Sequence, residues 1–201
     1  RSRGLGDVYK RQMGEEGVPT VDEFVEKELP ESGCIGFDGR VVNGSWGRKL
    51  LAIAEKKKGS LYVTEDLIDL IWKDRPALSK EPLFLLEEKY SGKSTADKIA
   101  DLRKVMEKEG ANVHILTSLY DIAWLLNIRG GDIDYVPVIL SYLVLTDKEC
   151  IWFLQEEVVD EKIAAYLKEN HITTRPYDAI YDYVKEIPAD ACVLMNGNTV
   201  N

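Results

Sequence analysis

Apolar residues recur along this chain at two spacings, and each spacing predicts one kind of secondary structure. Repeats of three and four residues predict amphipathic helices, whereas short apolar runs and strict alternation predict strands. We expect helices over residues 21–29, 45–58, 97–109, 119–126, 161–169 and 177–185. We expect strands over residues 34–38, 61–63, 83–86, 112–117, 138–145, 150–154, 172–174 and 191–195. This alternation predicts an α/β fold in which helices flank mixed β-sheets.

Residues that commonly cap helices stand at several of the predicted starts. Thr20, with Glu23 three positions later, has the pattern of a capping box, and Ser118 and Asp160 precede two further helices. These polar residues fix the predicted starts more firmly than the apolar periodicity does, because a cap marks a single position.

Residues 91–94 end in Gly-Lys-Ser, as phosphate-binding loops do. Such a loop needs a glycine five positions before its last glycine, and that position is Glu87. We therefore expect Ser94 or Thr95 to cap the helix that follows rather than to bind phosphate.

The chain predicts two consecutive domains separated by a proline-containing connector. Residues 13–76 form the C-terminal part of a first domain, residues 77–93 the connector, and residues 94–201 a second domain. We expect the first domain to be incomplete, because only a βαβ-like half precedes the connector. We expect the second to be truncated, because the chain stops directly after a strand. Residues 1–12 are basic and lack apolar periodicity, so we interpret them as non-native adapter-derived sequence or a disordered arm.

Composition excludes several classes of partner. The chain has 26 Lys and Arg against 35 Asp and Glu, a net charge of −9, with no basic stripe for nucleic acid. Its apolar runs are far shorter than the ~20 residues that span a bilayer, and no secretory signal is visible at its start. The three cysteines lie far apart in apolar runs, which predicts buried, reduced thiols and a cytoplasmic location.

Candidate chemistry is sparse. The two histidines, His114 and His171, have no ligand motif nearby, so we expect no metal site, no hydrolase triad and no catalytic residue. The most informative segment is the Arg-Gly-Gly-Asp at 129–132, which we expect to form a flexible charged turn between a helix ending at Asn127 and a buried strand. Such turns often carry binding residues. The alternative is that Arg129 and Asp132 only pair with each other at the surface.

Residues 122–130, Ile-Ala-Trp-Leu-Leu-Asn-Ile-Arg-Gly, carry a resemblance to a known family. With Asp132, Pro137 and residues 141–142, they resemble the signature of the cytosolic-type three-domain Xaa-Pro aminopeptidases, also called aminopeptidase P. The chain departs from that signature at Tyr120, Gly131, Val136 and Ile139. Further matches follow the family's order, so the resemblance covers about residues 14–201; these matches are residues 18–20, 71–76 and 98–103.

The resemblance implies two consecutive creatinase N-terminal-like domains, each a mixed β-sheet flanked by helices. In the family a third, pita-bread domain follows and holds two divalent metal ions, commonly manganese, with two Asp, one His and two Glu. Those ligands lie beyond this chain, so the resemblance implies no cofactor, no metal ligand and no catalysis in this fragment. The parent enzyme hydrolyses the peptide bond between an N-terminal residue and proline, with a metal-bridging hydroxide as nucleophile.

The resemblance also implies partners and substrate-binding residues. The partners are the missing catalytic domain, a second copy in a homodimer, and a peptide with proline at its second position. The role of this fragment would be oligomerisation and shaping of the substrate channel. Arg129 is the candidate substrate-binding residue, because its planar guanidinium suits a peptide carboxylate or carbonyl. Asn127 would orient it and Tyr135 would supply an apolar wall.

Two alternatives stay open. The chain could be the N-terminal part of a creatinase or prolidase relative, or a non-enzymatic module that assembles or binds peptides. The Trp-Lys-Asp-Arg-Pro of residues 72–76 and the Asn-x-Arg-Gly of residues 127–130 favour the aminopeptidase over the first alternative. A continuation carrying the metal ligands would exclude the second.

Overall fold

The computed structural model describes residues 12–200. The prediction for segment 1–12 therefore lies outside the described residues, except at Gln12. The chain divides into two compact units, one ending at Asp74 and the other running from Arg75 to Val200. The predicted connector, residues 77–93, belongs to the second unit and contains a short strand and a short helix.

The first unit contains a βαβ arrangement. Its elements are α1 (Val21–Glu28), β1 (Cys34–Gly36), α2 (Gly44–Lys56) and β2 (Ser60–Tyr62). The two strands pair in parallel, as the βαβ-like pattern predicts. Gly59 lies where the two segments approach closely, because a Cβ there would stand 2.2 Å from the carbonyl oxygen of Gly33. Any side chain at this position would separate the segments that lead into the strand pair.

Caps define the starts of both helices in the first unit. The predicted capping box is confirmed, since the Thr20 amide donates to Glu23 Oε2 at 2.8 Å and the Glu23 amide donates to Thr20 Oγ1 at 3.3 Å. The second helix begins one residue earlier than predicted, because Asn43 Oδ1 accepts from the amide of Trp46 at 2.9 Å.

The second unit is built around a five-stranded mixed sheet. Its elements are β3 (Phe84–Leu85), α3 (Glu88–Ser91), α4 (Thr95–Lys108), β4 (Val113–Leu116), α5 (Leu119–Leu126), β5 (Ile128–Arg129), β6 (Tyr142–Thr146), β7 (Cys150–Leu154), α6 (Glu161–Glu169), β8 (Ile172–Pro176), α7 (Ile180–Glu186) and β9 (Val193–Leu194). The order of the sheet is β8-β7-β6-β4-β9. Its two outer pairs are parallel and its two inner pairs antiparallel, and β3 and β5 form a separate antiparallel pair. The predicted α/β class is confirmed.

Apolar side chains cover both faces of this sheet. One face packs against α4, α5 and α6, and the other against α7 and the turn before it. The strands β6 and β7 lie at the centre, and nearly all of their side chains are buried. This rigid layer supports the helix ends described below.

Three sequence-based predictions about burial and strand length are wrong. The apolar spacing that predicts helices over residues 45–58 and 97–109 also predicts Leu51 and Val105 on their buried faces, but these side chains are 42% and 48% exposed. The packed surface covers a narrower stripe of each helix than the apolar pattern indicates. The strand predicted from residue 138 begins only at Tyr142, because the Leu140 amide donates to Asp132 Oδ2 at 2.7 Å and leaves the ladder.

The cysteines also differ from expectation. Cys150 is buried as predicted, and burial raises the pKa of its thiol to about 12. Cys34 and Cys192 are exposed, contrary to the prediction. Cys34 lies in the two-stranded β1–β2 pair and Cys192 directly precedes β9, the edge strand of the five-stranded sheet, and at such positions an apolar sequence run does not guarantee burial.

Candidate functional site

The signature segment of the sequence contains a helix that ends in an unusual way. Helix α5 is capped at its start by Ser118, and its C-cap, Asn127, has a left-handed backbone with φ of 52°. Asparagine tolerates this conformation better than most residues with a Cβ. The last carbonyl groups of a helix have no partner within the helix and need donors from elsewhere.

Side chains from three other elements supply these donors. Lys98 Nζ, from α4, donates to the carbonyl oxygen of Trp124 at 2.7 Å. Arg129 Nη1, from β5, donates to the carbonyl oxygen of Ala123 and also to that of Ile128 at 3.0 Å. The hydroxyl of Tyr166, from α6, donates to Leu126 at 3.1 Å. Two cations therefore lie at the negative end of the helix dipole, where positive charge is favoured.

Lys98 is buried at this end of α5 with only 2% of its surface exposed. Its ammonium also donates to Asn127 Oδ1 at 2.7 Å and lies 4.4 Å from the centroid of the Trp124 ring. Burial, followed by the positive charges of Arg129 and Lys93, lowers the pKa of Lys98. In the sequence, Lys98 is recognisable only as one of the matches to the family, with no predicted role. Its position beside Ile99 on α4 offers no signal of burial, because its partners lie in α5.

Asn127 is a buried link between elements. Its Nδ2 donates to the carbonyl oxygen of Lys93 at 2.9 Å, and its own carbonyl accepts from the Leu86 amide at 2.8 Å. With Oδ1 bound to Lys98, both polar atoms of its side chain have partners within the fold. Asn127 thus joins the approach to α4, the end of α5 and the segment after β3.

Arg129 lies in an ordered strand rather than in the flexible turn that was expected. It pairs with Phe84 across β3 and β5, and its side chain is partly buried, which lowers the pKa of the guanidinium. Within residues 12–200, its Nε and Nη2 have no hydrogen-bond partner. Gly130 follows it in a tight space, where a Cβ would stand 2.8 Å from Ile139 Cγ1.

Asp132 does not form the surface pair with Arg129 that the alternative interpretation of this turn predicts. Its carboxylate accepts from the amides of Leu140 and Glu81, at 2.7 and 3.4 Å, so it fixes the backbone of the following loop. The charged turn therefore holds two neighbouring segments by backbone contacts, and Arg129 stays without an acidic partner among the described residues.

Tyr135 makes no contact with Asn127 or Arg129 among the described hydrogen bonds and ring contacts. Its side chain is fully exposed, at 103%, and its backbone has φ of 66° in the turn closed by the bridge between Ile133 and Val136. Asn127 and Arg129 both contact α5 and its flanks. In the part of the chain that the structure describes, no hydrogen bond or ring contact joins Tyr135 to either of them.

The described residues contain no candidate metal centre. Across residues 12–200, no three His, Cys, Asp or Glu side chains form a group that could hold a metal ion. His114 instead places Nδ1 2.8 Å from the carbonyl oxygen of Leu194.

The Gly-Lys-Ser segment forms a helix cap. Gly92 ends α3 with φ of 75°, and Ser94 Oγ accepts from the Asp97 amide at 3.1 Å, so the predicted cap at Ser94 is confirmed.

No helix within the described range is both long and apolar enough to cross a bilayer. This observation agrees with the short apolar runs in the sequence.

Comparison with known proteins places this geometry in a family. The creatinase/prolidase N-terminal domain matches residues 74–201. A probable Xaa-Pro aminopeptidase P from Coprinopsis cinerea is 37% identical over 179 residues, which are 88% of this chain and 29% of that protein. One from Chaetomium globosum is 34% identical over 189 residues, covering 92% of this chain and 30% of that protein.

A solved structure of an aminopeptidase also resembles this chain. The X-prolyl aminopeptidase of Caenorhabditis elegans, described as a cytosolic enzyme with a di-nuclear active site, superposes with a TM-score of 0.81 at 30% identity. The match covers 87% of this chain and 28% of that one. The chain thus spans less than a third of the length of these relatives. It belongs to the creatinase/prolidase N-terminal domain family, and the relatives that it resembles here are Xaa-Pro aminopeptidases.

Proposed function

We propose that this chain is the non-catalytic N-terminal portion of a metal-dependent Xaa-Pro aminopeptidase, a hydrolase that cleaves the bond between an N-terminal residue and proline. The observation that carries the proposal is the match to the aminopeptidase of Caenorhabditis elegans, with a TM-score of 0.81 over 87% of this chain. On this proposal the domains are those predicted from the sequence, with an incomplete first domain and a second one that begins at residue 94.

The chemistry belongs to a part of the parent enzyme beyond this chain. There, two divalent metal ions, manganese on this proposal, would be held by residues of the missing domain and would supply Lewis-acid chemistry for the hydrolysis. The described residues of this chain form no group that could hold a metal ion. On this proposal they bind the peptide substrate and shape the channel through which it enters. We place the parent enzyme in the cytoplasm, as the name of the Caenorhabditis elegans relative supports.

The contribution of this chain is to shape the substrate channel and to hold a homodimer together. Arg129 is the residue that contacts substrate, because its Nε and Nη2 are unoccupied within residues 12–200 while Nη1 is fixed on backbone carbonyls. Asn127 positions Arg129 only indirectly, by fixing the backbone that leads into it. Its side chain accepts from Lys98 and donates to the carbonyl oxygen of Lys93 and does not contact Arg129. Tyr135, fully exposed, supplies an apolar surface beside the peptide.

The test uses the longer reading frame that contains this chain, expressed with manganese. We expect hydrolysis of a tripeptide with proline in second place and none when alanine replaces that proline. Turnover of creatine, or of Xaa-Pro dipeptides alone, would instead favour a creatinase or prolidase relative. No hydrolysis of any of these would favour the non-enzymatic module.

The role of Arg129 has a test of its own in the same protein. We expect Arg129→Ala to lower kcat/KM about tenfold or more, as loss of a charge-assisted contact does, and to lower the melting temperature only as far as loss of its carbonyl contacts requires. Arg103→Ala is the matched control, because Arg103 also donates to a backbone carbonyl, that of Thr146, at 2.9 Å. If Arg129→Ala lowers the melting temperature as much as the control does and leaves kcat/KM unchanged, Arg129 only braces the fold.

A further inference from the structure

The end of α5 carries more positive charge than the described residues balance. Lys98 and Arg129 donate to the carbonyl oxygens of the adjacent residues Trp124 and Ala123, and the charge of Arg129 helps to lower the pKa of Lys98. The third cation nearby, Lys93, is paired with Asp101. Neither Lys98 nor Arg129 forms an ion pair with an acid within residues 12–200. The dipole of α5 offsets about half a unit of charge, so an excess remains.

Uncompensated charge in a low-dielectric setting is unfavourable, and proteins normally pair it. Lys98 cannot take an external partner, because its side chain is 2% exposed and its ammonium already has two oxygen acceptors and an aromatic face. An anion could therefore bind only through Arg129, and the charge of Lys98 would strengthen that binding from behind.

Arg129 is prepared for such a partner. Its backbone is held in the β3–β5 pair, and Nη1 is fixed on two carbonyl oxygens. The remaining Nε–Nη2 edge is the one that grips a carboxylate with two parallel hydrogen bonds. A guanidinium already held in place loses little conformational freedom when it binds, which favours affinity.

We propose that the Nε–Nη2 edge of Arg129, supported by the buried charge of Lys98, is a carboxylate-binding site. The carboxylate comes either from the C-terminus of a short peptide or from an Asp or Glu side chain in the part of the parent enzyme beyond this chain. The inference rests on the proposed function only in expecting those two sources. It adds the chemical class of the ligand and a role for Lys98.

The test is a titration of the 201-residue chain labelled with ¹⁵N, observed through the Nε–Hε signals of its arginines. Arg129→Lys identifies the Arg129 signal by its loss. The probes are alanyl-prolyl-alanine with a free C-terminus, the same peptide as its C-terminal amide, and N-acetylaspartate methylamide. We expect both carboxylates to shift the Arg129 signal and the peptide amide to leave it in place.

The two sources are separated by relative affinity. Binding of the free-acid peptide about tenfold tighter than the aspartate compound identifies the peptide terminus as the ligand. Equal binding of the two identifies a carboxylate side chain. If neither carboxylate shifts the signal at tens of millimolar, or if the amide shifts it as much, the proposal is wrong.

Two lysine variants test the role of the buried charge. Lys98→Met should weaken carboxylate binding roughly fivefold, the size expected for a unit charge several ångströms away under partial screening. Lys104→Met, which removes an exposed lysine of the same helix, should leave it unchanged. If Lys98→Met does not fold, Lys98→Arg serves instead, because it keeps the positive charge and should preserve carboxylate binding. Loss of carboxylate binding by a folded Lys98→Arg variant would show that the charge of Lys98 does not support the site. A negative titration leaves the aminopeptidase proposal standing, because hydrolysis by the longer reading frame decides that separately.

Discussion

Two of the lysines of helix α4, Lys98 and Lys104, have opposite surroundings. The ammonium of Lys98 is buried and held by a carbonyl oxygen, an amide oxygen and an indole ring. The side chain of Lys104 is 75% exposed and lies 3.0 Å from Asp101. An ion pair is visible only at the exposed lysine, yet surface pairs contribute little to stability. The buried lysine, which pairs with no described acid, connects α4 to α5 and to the segment that carries Arg129.

The largest difference between buried and exposed positions is expected in the reaction rates of the cysteines, which are also divided between buried and exposed positions. A thiol reagent reacts with the thiolate, and the buried Cys150 has a pKa of about 12. We expect Cys34 and Cys192 to react quickly and Cys150 about 10³-fold more slowly, because its exposure needs unfolding. Absorbance of a chromogenic disulfide reagent measures the rates.

Cys34→Ser is the control, since it should remove one fast phase and leave the slow one. Rapid reaction of all three thiols would mean that the central strands open readily, and the contrast between buried and exposed positions would fail.

The next effect concerns the lysines directly. Lys98→Met leaves the carbonyl of Trp124 and Oδ1 of Asn127 buried without this donor, so we expect the free energy of unfolding to fall by about 2–4 kcal/mol. Lys104→Met should change it by less than about 0.5 kcal/mol. Urea denaturation of the three proteins measures both. Equal losses in the free energy of unfolding for the two substitutions would show that the buried contacts of Lys98 do not stabilise the fold.

The smallest effect is a pH dependence that separates burial from hydrogen bonding. Because burial, Arg129 and Lys93 lower the pKa of Lys98, the folded state binds fewer protons than the unfolded state just below the ordinary lysine pKa. The stability of the native chain relative to Lys98→Met should therefore rise as the pH increases through the folded pKa. Urea denaturation across this alkaline range measures the difference. A decrease would mean that the oxygen acceptors and the indole favour the charged form more than burial opposes it.

Local sequence patterns predicted much of the fold. The caps at Thr20, Ser94, Ser118 and Asp160 all accept from the backbone amides of the helices that they begin. The β6–β7 hairpin also follows from its sequence, because each of these features depends on a few neighbouring residues. The candidate site was predicted only in part. Asn127 and Arg129 were identified, but their partners were not.

What the sequence did not predict depends on distant contacts. Lys98 is buried by Asn127, which lies 29 residues away along the chain. Arg129 is ordered by pairing with Phe84, in a strand of two residues too short to leave a periodic pattern. Asp132 accepts from the backbone amides of Leu140 and of the distant Glu81 instead of pairing with Arg129. Three-dimensional packing decides each of these, and composition or spacing alone does not.

The order of the strands has a consequence for how the second unit folds. β6 and β7 are neighbours in sequence, so their pairing costs little loop-closure entropy. The pairing of β4 with β9 brings together His114 and Leu194, 80 residues apart. The hairpin should therefore form in the folding transition state and the β4–β9 pair after it. Substitutions at Val144 should slow folding, whereas substitutions at Val193 should mainly speed unfolding, and stopped-flow kinetics giving the opposite assignment would reverse this order.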